Sequence, residues 1–347
     1  MSTLFADASS LPFTAMIFII AAAIIGFFGI RMTHVSRNIA IHTGMGEAVM
    51  GAVFIGASTS LSGIIASVSA AYAGHAPLAV SNSLGGIAAQ TLFLAFADIA
   101  YRRANLEHAA ATAENLVMTA FLLILLSIHL VALAIPDIAL FTVHPASIVL
   151  IGAYLFGVYL LNRAHEMPMW YPRRTRETRF EKEEKTKRKK VDTRGLWLTF
   201  LFYSAIVGAS GWVLAQTGIH IAAITGLSEG IVGGVFTAVA TSLPELVIAI
   251  TAVRMGALTL ALGDIVGGNA FDTLFIAMSD FAFSEGPIYA SITAIEAFWL
   301  AITTLMSAIL MMGLLQREKH GFANIGLESL LLIVVYFFGL GVIGIYM

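Results

Sequence analysis

Thr241-Ser242-Leu243-Pro244-Glu245-Leu246 stands inside an otherwise apolar segment. A carboxylate there is expensive, roughly 3 kcal/mol at a helix centre on insertion scales. One residue before it, Pro244 has no N–H to give and crowds the carbonyl of Ala240, so a helix through this point must kink or open. Opened backbone at membrane depth is tolerated only where it lines a cavity or is buried in protein. Two hydroxyls, freed carbonyls and a carboxylate at a helix break are all oxygen donors, the set a hard cation such as sodium or calcium requires. The plainer reading is a kinked helix whose acid faces a packed polar partner.

Composition fixes the surroundings of this stretch. Of 347 residues, 59% are hydrophobic and 12% charged, and the mean hydropathy is +0.88. Long uncharged runs recur throughout, so the expected class is an all-α polytopic membrane protein. The chain has no cysteine, which excludes disulfides and thiolate chemistry. The first apolar run has the length of a full span and no small-residue cleavage site, so it is expected to be retained.

Ten spans are expected, at about 12–30, 45–74, 77–99, 113–135, 144–162, 196–217, 225–253, 257–282, 288–313 and 322–346. The second and seventh are long enough to break in the middle and still cross. Residues 163–195 form one polar connector, including Glu181-Lys182-Glu183-Glu184-Lys185-Thr186-Lys187-Arg188-Lys189-Lys190. Loops after the first, third, fifth, seventh and ninth spans hold all 19 Lys and Arg residues of the chain. Those loops share one side, and the positive-inside rule makes it cytoplasmic, with both termini outside. The expected location is the cytoplasmic membrane of a prokaryote.

A shift of 182 aligns the two halves without a gap from Thr43/Thr225 to Asp98/Asp280. Matched pairs include Glu47/Glu229, Thr59/Thr241, Ser60/Ser242, Leu61/Leu243, Gly85/Gly267, Gly86/Gly268 and Phe93/Phe275. Apolar bias does not produce matched Thr-Ser-Leu, Gly-Gly and Glu, so the pattern reads as a duplication. With five spans per half, residues 1–162 and 196–347 enter the membrane in opposite orientation. Inverted repeats with interrupted helices point to a secondary transporter whose site lies at the midplane. The halves diverge where chemistry would sit: Glu245 is matched by Gly63, Pro244 by Ser62 and Asp272 by Gln90. The first half offers Thr59, Ser60, Ser62, Ser83 and Gln90, all neutral donors.

Other polar residues have simpler expected roles. Glu47 and Glu229 sit at span entrances, where helix-end electrostatics accounts for them. Asp98 and Asp280 close their spans and are expected at the interface. Asp264 either lines a vestibule or begins a helix near water, Glu296 pairs internally, and His42 and His75 hydrogen-bond near span ends. The two Gly-Gly pairs let helices approach closely.

On Thr241–Leu246 and on Gly263-Asp264-Ile265-Val266-Gly267-Gly268-Asn269-Ala270-Phe271-Asp272, the chain resembles the cation/calcium exchanger superfamily. The resemblance implies ten transmembrane helices in two inverted five-helix repeats around a midplane cluster of cation sites. It implies Glu245 and Asp272 as ligands, with the hydroxyls of Thr241, Ser242, Thr59 and Ser60 and the carbonyls of Ala238 and Gly56. Gln90, Gly268 and Asp264 are subsidiary candidates. The sequence departs from the family's usual pattern at Ser62-Gly63, where a proline–glutamate pair is usual, and at Gln90.

The resulting expectation is a secondary-active cation antiporter that exchanges calcium against sodium, with exchange against protons as the alternative. Its partners would be the lipid bilayer and inorganic cations, with no nucleic acid, no cofactor and no enzymatic reaction. A passive channel, an intramembrane enzyme and an exchanger relative left inert by Gly63 are the competing classes. A channel predicts flux independent of a counter-gradient, and an enzyme lacks a His cluster or activated nucleophile beside the carboxylates.

Overall fold

The computed structural model describes residues 10–43, 54, 56–101, 104–166, 173, 175, 193–319, 321 and 325–346. The connector apart from 173, 175 and its helical ends, together with Glu47, Arg102 and Arg103, lies outside the described residues. Helices α1 (Leu11–Thr43), α2 (Gly56–Thr59), α3 (Leu61–Tyr72), α4 (Ala76–Ala100), α5 (Leu106–Ala110), α6 (Ala113–Leu133) and α7 (Pro145–Glu166) make the first half. The second has α8 (Thr193–Thr225), α9 (Glu229–Thr241), α10 (Leu243–Met255), α11 (Leu258–Asp272), α12 (Leu274–Ala282), α13 (Ala294–Gln316) and α14 (Leu327–Tyr346). No named strand occurs among the described residues. Seven helices there are long and apolar enough to cross a membrane, or eight with α9 and α10 taken as one bent span.

Residue distribution sets which helices are central. In α4 and in α11–α12, 83% of the most apolar stretch is buried, against 22% in α1. The helices that carry Asn82, Gln90, Asn269 and Asp272 are therefore the ones shielded from lipid, where every polar atom can find protein. α1 and α8 pack along each other at the outside. Each has 33 residues, about 50 Å at 1.5 Å per residue, well beyond a hydrocarbon core of about 30 Å. They overrun the expected 12–30 and 196–217 because helix continues through polar residues such as Arg31 and Arg37; Arg31 covers its own Phe27 ring at 3.5 Å.

The expected break at Pro244 is present. α9 and α10 meet at Ser242 with a bend of 46°, and Pro244 stands in the first turn of α10, where its missing N–H costs least. Just before the bend, Val232–Thr237 widens into a π-helix, a form frequent at functional sites. In the first half, α2 and α3 are interrupted at Ser60. A further interruption, at Thr273 between α11 and α12, carries no proline signal in the sequence.

Contacts recur with both partners shifted by 182. A Cβ at Gly29 would lie 2.6 Å from Pro244 Cγ, and one at Gly211 would lie 2.5 Å from the Ser62 carbonyl. Asp98 accepts from the N–H groups of Leu106 (2.7 Å) and Gly326 (3.0 Å). Asp280 accepts from Ile288 (2.7 Å) and His144 (2.8 Å). Both aspartates stand near helix ends as expected and are buried in protein, where they satisfy loop backbone that would otherwise be orphaned. Glu296 is likewise accounted for, closing a capping box with Thr293 and accepting from Ser81 at 3.1 Å.

Candidate functional site

Asp272 ends α11 with its side chain 2% exposed. Ser60, at the first-half break, donates to its Oδ1 at 2.5 Å, and Gln90 of α4 donates to Oδ2 at 2.7 Å. Gln90 also donates to Ser242, at the second-half break, at 3.2 Å. Ser83 reaches the Asp272 backbone carbonyl at 2.7 Å. A single hydrogen-bonded group thus joins both breaks and both central helices. Sixty and 242, like 90 and 272, differ by 182, so the Ser60–Asp272 and Ser242–Gln90 contacts are repeat equivalents.

Glu245 stands one turn into α10, 6% exposed. Glu245 Oε2 has no hydrogen-bond partner among the described residues, and neither does Gln90 Oε1. A buried orphan carboxylate oxygen is costly unless something else satisfies it. Thr241 donates back to the carbonyls of Thr237 (3.0 Å) and Ala238 (3.1 Å). Thr59 donates to the carbonyl of Gly56 at 3.0 Å. The Ala238 and Gly56 carbonyls also accept from the N–H groups of Ser242 (3.1 Å) and Ser60 (3.0 Å). Each break therefore presents the same hydroxyl–carbonyl pairing.

Glycines make the centre open. A Cβ at Gly86 would stand 3.7 Å from Ser242 Oγ and 4.0 Å from Asp272 Oδ2, and one at Gly268 would stand 3.4 Å from Gln90 Oε1. Gly85 serves packing instead: its Cβ would meet the Gly234 carbonyl at 2.1 Å. Asp264 lies apart from this network as described, paired with Arg37 at 3.6 Å and 27% exposed. Glu229 holds His75 at 2.6 Å at a span entrance.

The structure adds one residue that sequence reasoning passed over. A Cβ on Gly63, the repeat equivalent of Glu245, would stand 2.6 Å from Phe275 Cε2. The phenyl ring covers the place from which a first-half side chain would enter. Phe275 aligns with Phe93 and reads as lipid-facing or core, so its sequence carried no signal of this role.

Residues 13–162 and 194–344 match the sodium/calcium exchanger protein family. The chain belongs to that family. The match covers both halves and omits the connector, and it makes the protein an integral membrane protein of a cation-exchanger family. Over 71 residues the chain is 35% identical to "Sodium/calcium exchanger MaX1" of Methanosarcina acetivorans, 20% of each chain. The curated relatives are matched over only 34% and 20% of their own lengths. Among solved structures, the H+/Ca2+ exchanger CAX superposes with a TM-score of 0.66 at 14% identity, covering 99% of this chain and 87% of that one. The sodium-calcium exchanger NCX_Mj superposes with a TM-score of 0.59 at 18% identity, covering 96% and 99%. The whole described chain therefore has the exchanger fold.

Proposed function

We propose that the protein is a secondary-active antiporter that exchanges calcium against sodium across the membrane by alternating access to the site around Glu245 and Asp272. The observation that carries this reading is the buried group formed by Asp272, Ser60, Gln90 and Ser242 beside the orphan oxygen of Glu245. Two carboxylates balance one divalent cation or two monovalent ones. The hydroxyls of Thr241, Ser242, Thr59 and Ser60, the Ala238 and Gly56 carbonyls and Gln90 supply neutral oxygens to complete a shell. Competition of the two ions for the same oxygens gives obligatory exchange without a cofactor.

Two inverted five-helix repeats, 1–162 and 196–347, would rock about this site. Ten crossings follow if the bent α9–α10 pair and the shorter apolar helices at 61–72 and 145–161 are each counted with the seven long ones. The contacts repeated at 182 support a two-fold relation between the halves. The basic connector and the other Lys- and Arg-bearing loops would face the cytoplasm.

Exchange against protons is the second reading, supported by the fold shared with CAX, whose name gives it as an H+/Ca2+ exchanger. Calcium uptake into proteoliposomes under an outward sodium gradient, and separately under an outward proton gradient, tests both. Uptake driven by sodium alone is expected. Uptake driven by protons alone transfers the assignment to the second reading, and no uptake under either removes calcium as the substrate.

A further inference from the structure

Four buried acceptor oxygens on residues 105–107 and 318–328 have no hydrogen-bond partner among the described residues: Asn105 Oδ1, Glu107 Oε2, Glu318 Oε2 and Glu328 Oε1. Two of them converge. A Cβ built on Gly326 would lie 3.2 Å from Glu328 Cδ and 3.4 Å from both Glu107 Oε2 and Glu328 Oε1. Glu107 is 0% exposed and Glu328 6%, so two buried carboxylates aim unpartnered oxygens at the gap that the glycine leaves. Asp98 adjoins them, with one oxygen on the Gly326 N–H and the other on Leu106 N–H. Ser329 donates to the other Glu107 oxygen at 3.4 Å. Nearby, Arg317 donates to the carbonyls of Arg173 and His108, and His108 bonds the Arg317 carbonyl and the Thr175 hydroxyl.

The opposite end of the molecule is a built-in control. Shifted by 182, Asp98 becomes Asp280, Gly326 becomes His144, Glu107 becomes Tyr289, Glu328 becomes Ala146 and Ser329 becomes Ser147. The backbone scaffold is the same, and Ser147 donates to Asp280 at 2.6 Å. There, however, the rings of His144 and Tyr289 fill the equivalent space with centroids 4.7 Å apart, and Tyr289 is hydrogen-bonded to His129 at 2.7 Å. One end carries a single, fully hydrogen-bonded acid under two rings. The other carries three acids around a glycine. Loop architecture alone does not require the extra two, since the ring-filled end is built without them.

We infer that Glu107, Glu328 and Asp98, with the space over Gly326, form an accessory site for a hard divalent cation, separate from the midplane carboxylates. Calcium–oxygen distances of 2.3–2.6 Å require each free oxygen to approach the gap by about 1 Å. As they stand, no three Asp, Glu or His side chains among the described residues sit at metal-ligand spacing; the closing movement is the one a bound cation itself drives against carboxylate repulsion. Beside the site, Arg317 and His108 bond to Arg173 and Thr175 of the connector. This inference stands independently of the midplane reading.

The test is binding of radiolabelled calcium to the purified full chain, with the midplane carboxylates removed in a Glu245→Gln/Asp272→Asn background. That background is expected to keep one calcium per chain and a calcium-dependent rise in Tm. Adding Glu107→Gln/Glu328→Gln is expected to abolish both; Gly326→Ala, which fills the gap with one methyl, is expected to weaken both. No calcium bound in the background, or binding that survives the glutamate substitutions, overturns the site in favour of carboxylates that simply share a proton. If the glutamate variant does not fold, unchanged binding in Gly326→Ala overturns it and weakened binding supports it. Failure of the midplane reading is seen separately, as calcium transport persisting in the background variant.

Discussion

At the second-half break the chain presents Glu245, buried and with one oxygen lacking a hydrogen-bond partner among the described residues; 182 residues earlier, at the first-half break, it presents Gly63 and a phenyl ring. The backbone plan is shared. Both segments read Thr-Ser-Leu, both interrupt a helix at the serine, and both pair a threonine hydroxyl with a carbonyl three residues back. What differs is charge. Gln90 against Asp272 repeats the difference on the central helices, so both carboxylates of the proposed site come from one half. Two segments of matched sequence can therefore keep the same backbone plan while the charge is concentrated in one of them. Backbone breaks depend on local stereochemistry that both halves retain, whereas a buried charge costs several kcal/mol and persists only where function or pairing sustains it.

Removing the charged side of this comparison has the largest expected effect. Glu245→Gln and Asp272→Asn should each lower calcium uptake by about a hundredfold or more, since affinity follows ligand charge count. Neither should lower Tm, because a neutral isostere relieves buried repulsion. Uptake within a fewfold of the unaltered chain would remove the midplane site.

Building charge into the uncharged side is the next test. Phe275→Ala alone should cost about 3–5 kcal/mol through the cavity it leaves. Gly63→Glu alone should cost about 1–3 kcal/mol or more by driving a side chain into the ring. Combined, they should be less destabilising than their sum, with a coupling of about 1–3 kcal/mol in a thermal or denaturant cycle, and calcium binding should tighten. Strict additivity would mean that the ring does not close the first-half position.

The glycine pairs sharpen the same contrast at lower stakes. Gly85→Ala forces a methyl against the Gly234 carbonyl, whereas Gly267→Ala, its repeat equivalent, meets only Met118 Cε at 3.8 Å. The first should destabilise by about 1–3 kcal/mol and the second by less than about 1 kcal/mol. Equal losses of Tm would show that the two halves pack alike at this level.

The smallest effect concerns the link between the halves at a span entrance. The Glu229 hydrogen bond holds His75 above its ordinary value of about 6.5, against the opposing effect of partial burial. A raised folded value means that the protonated pair stabilises fully below about pH 6.5 and that the gain is lost as pH rises through that raised value. Both side chains are about one third exposed, so the effect should stay below about 1 kcal/mol. Tm against pH should show this gentle decline, and His75→Gln should flatten it.

Much of the molecule was legible in residues alone. Apolar length and basic loops mark the helical membrane class, because the bilayer excludes other backbone solutions. The proline break at Pro244 was legible because its cause is local, and the 182-residue repeat because matched polar residues resist chance. The candidate carboxylates stood out as charges in apolar surroundings. Other features had no local cause to read. Asp98 and Asp280 close their helices as expected, but their burial was not readable, because backbone far along the chain folds back and supplies N–H donors. Arg31 and Arg37 look like a loop, yet α1 runs on through them.

What the sequence by itself determined is the set of features governed by short-range stereochemistry and by transfer from water to lipid: helices, their main breaks, the pattern of matched residues 182 apart and the candidate carboxylates. Tertiary structure alone decided which of those residues meet. It brought Ser60 and Gln90 onto Asp272, took Asp264 to Arg37, laid Phe275 across Gly63 and gathered Glu107 and Glu328 over Gly326. Those contacts join residues as many as 227 positions apart, and their energy depends on the packing of whole helices, for which no local pattern exists to be read.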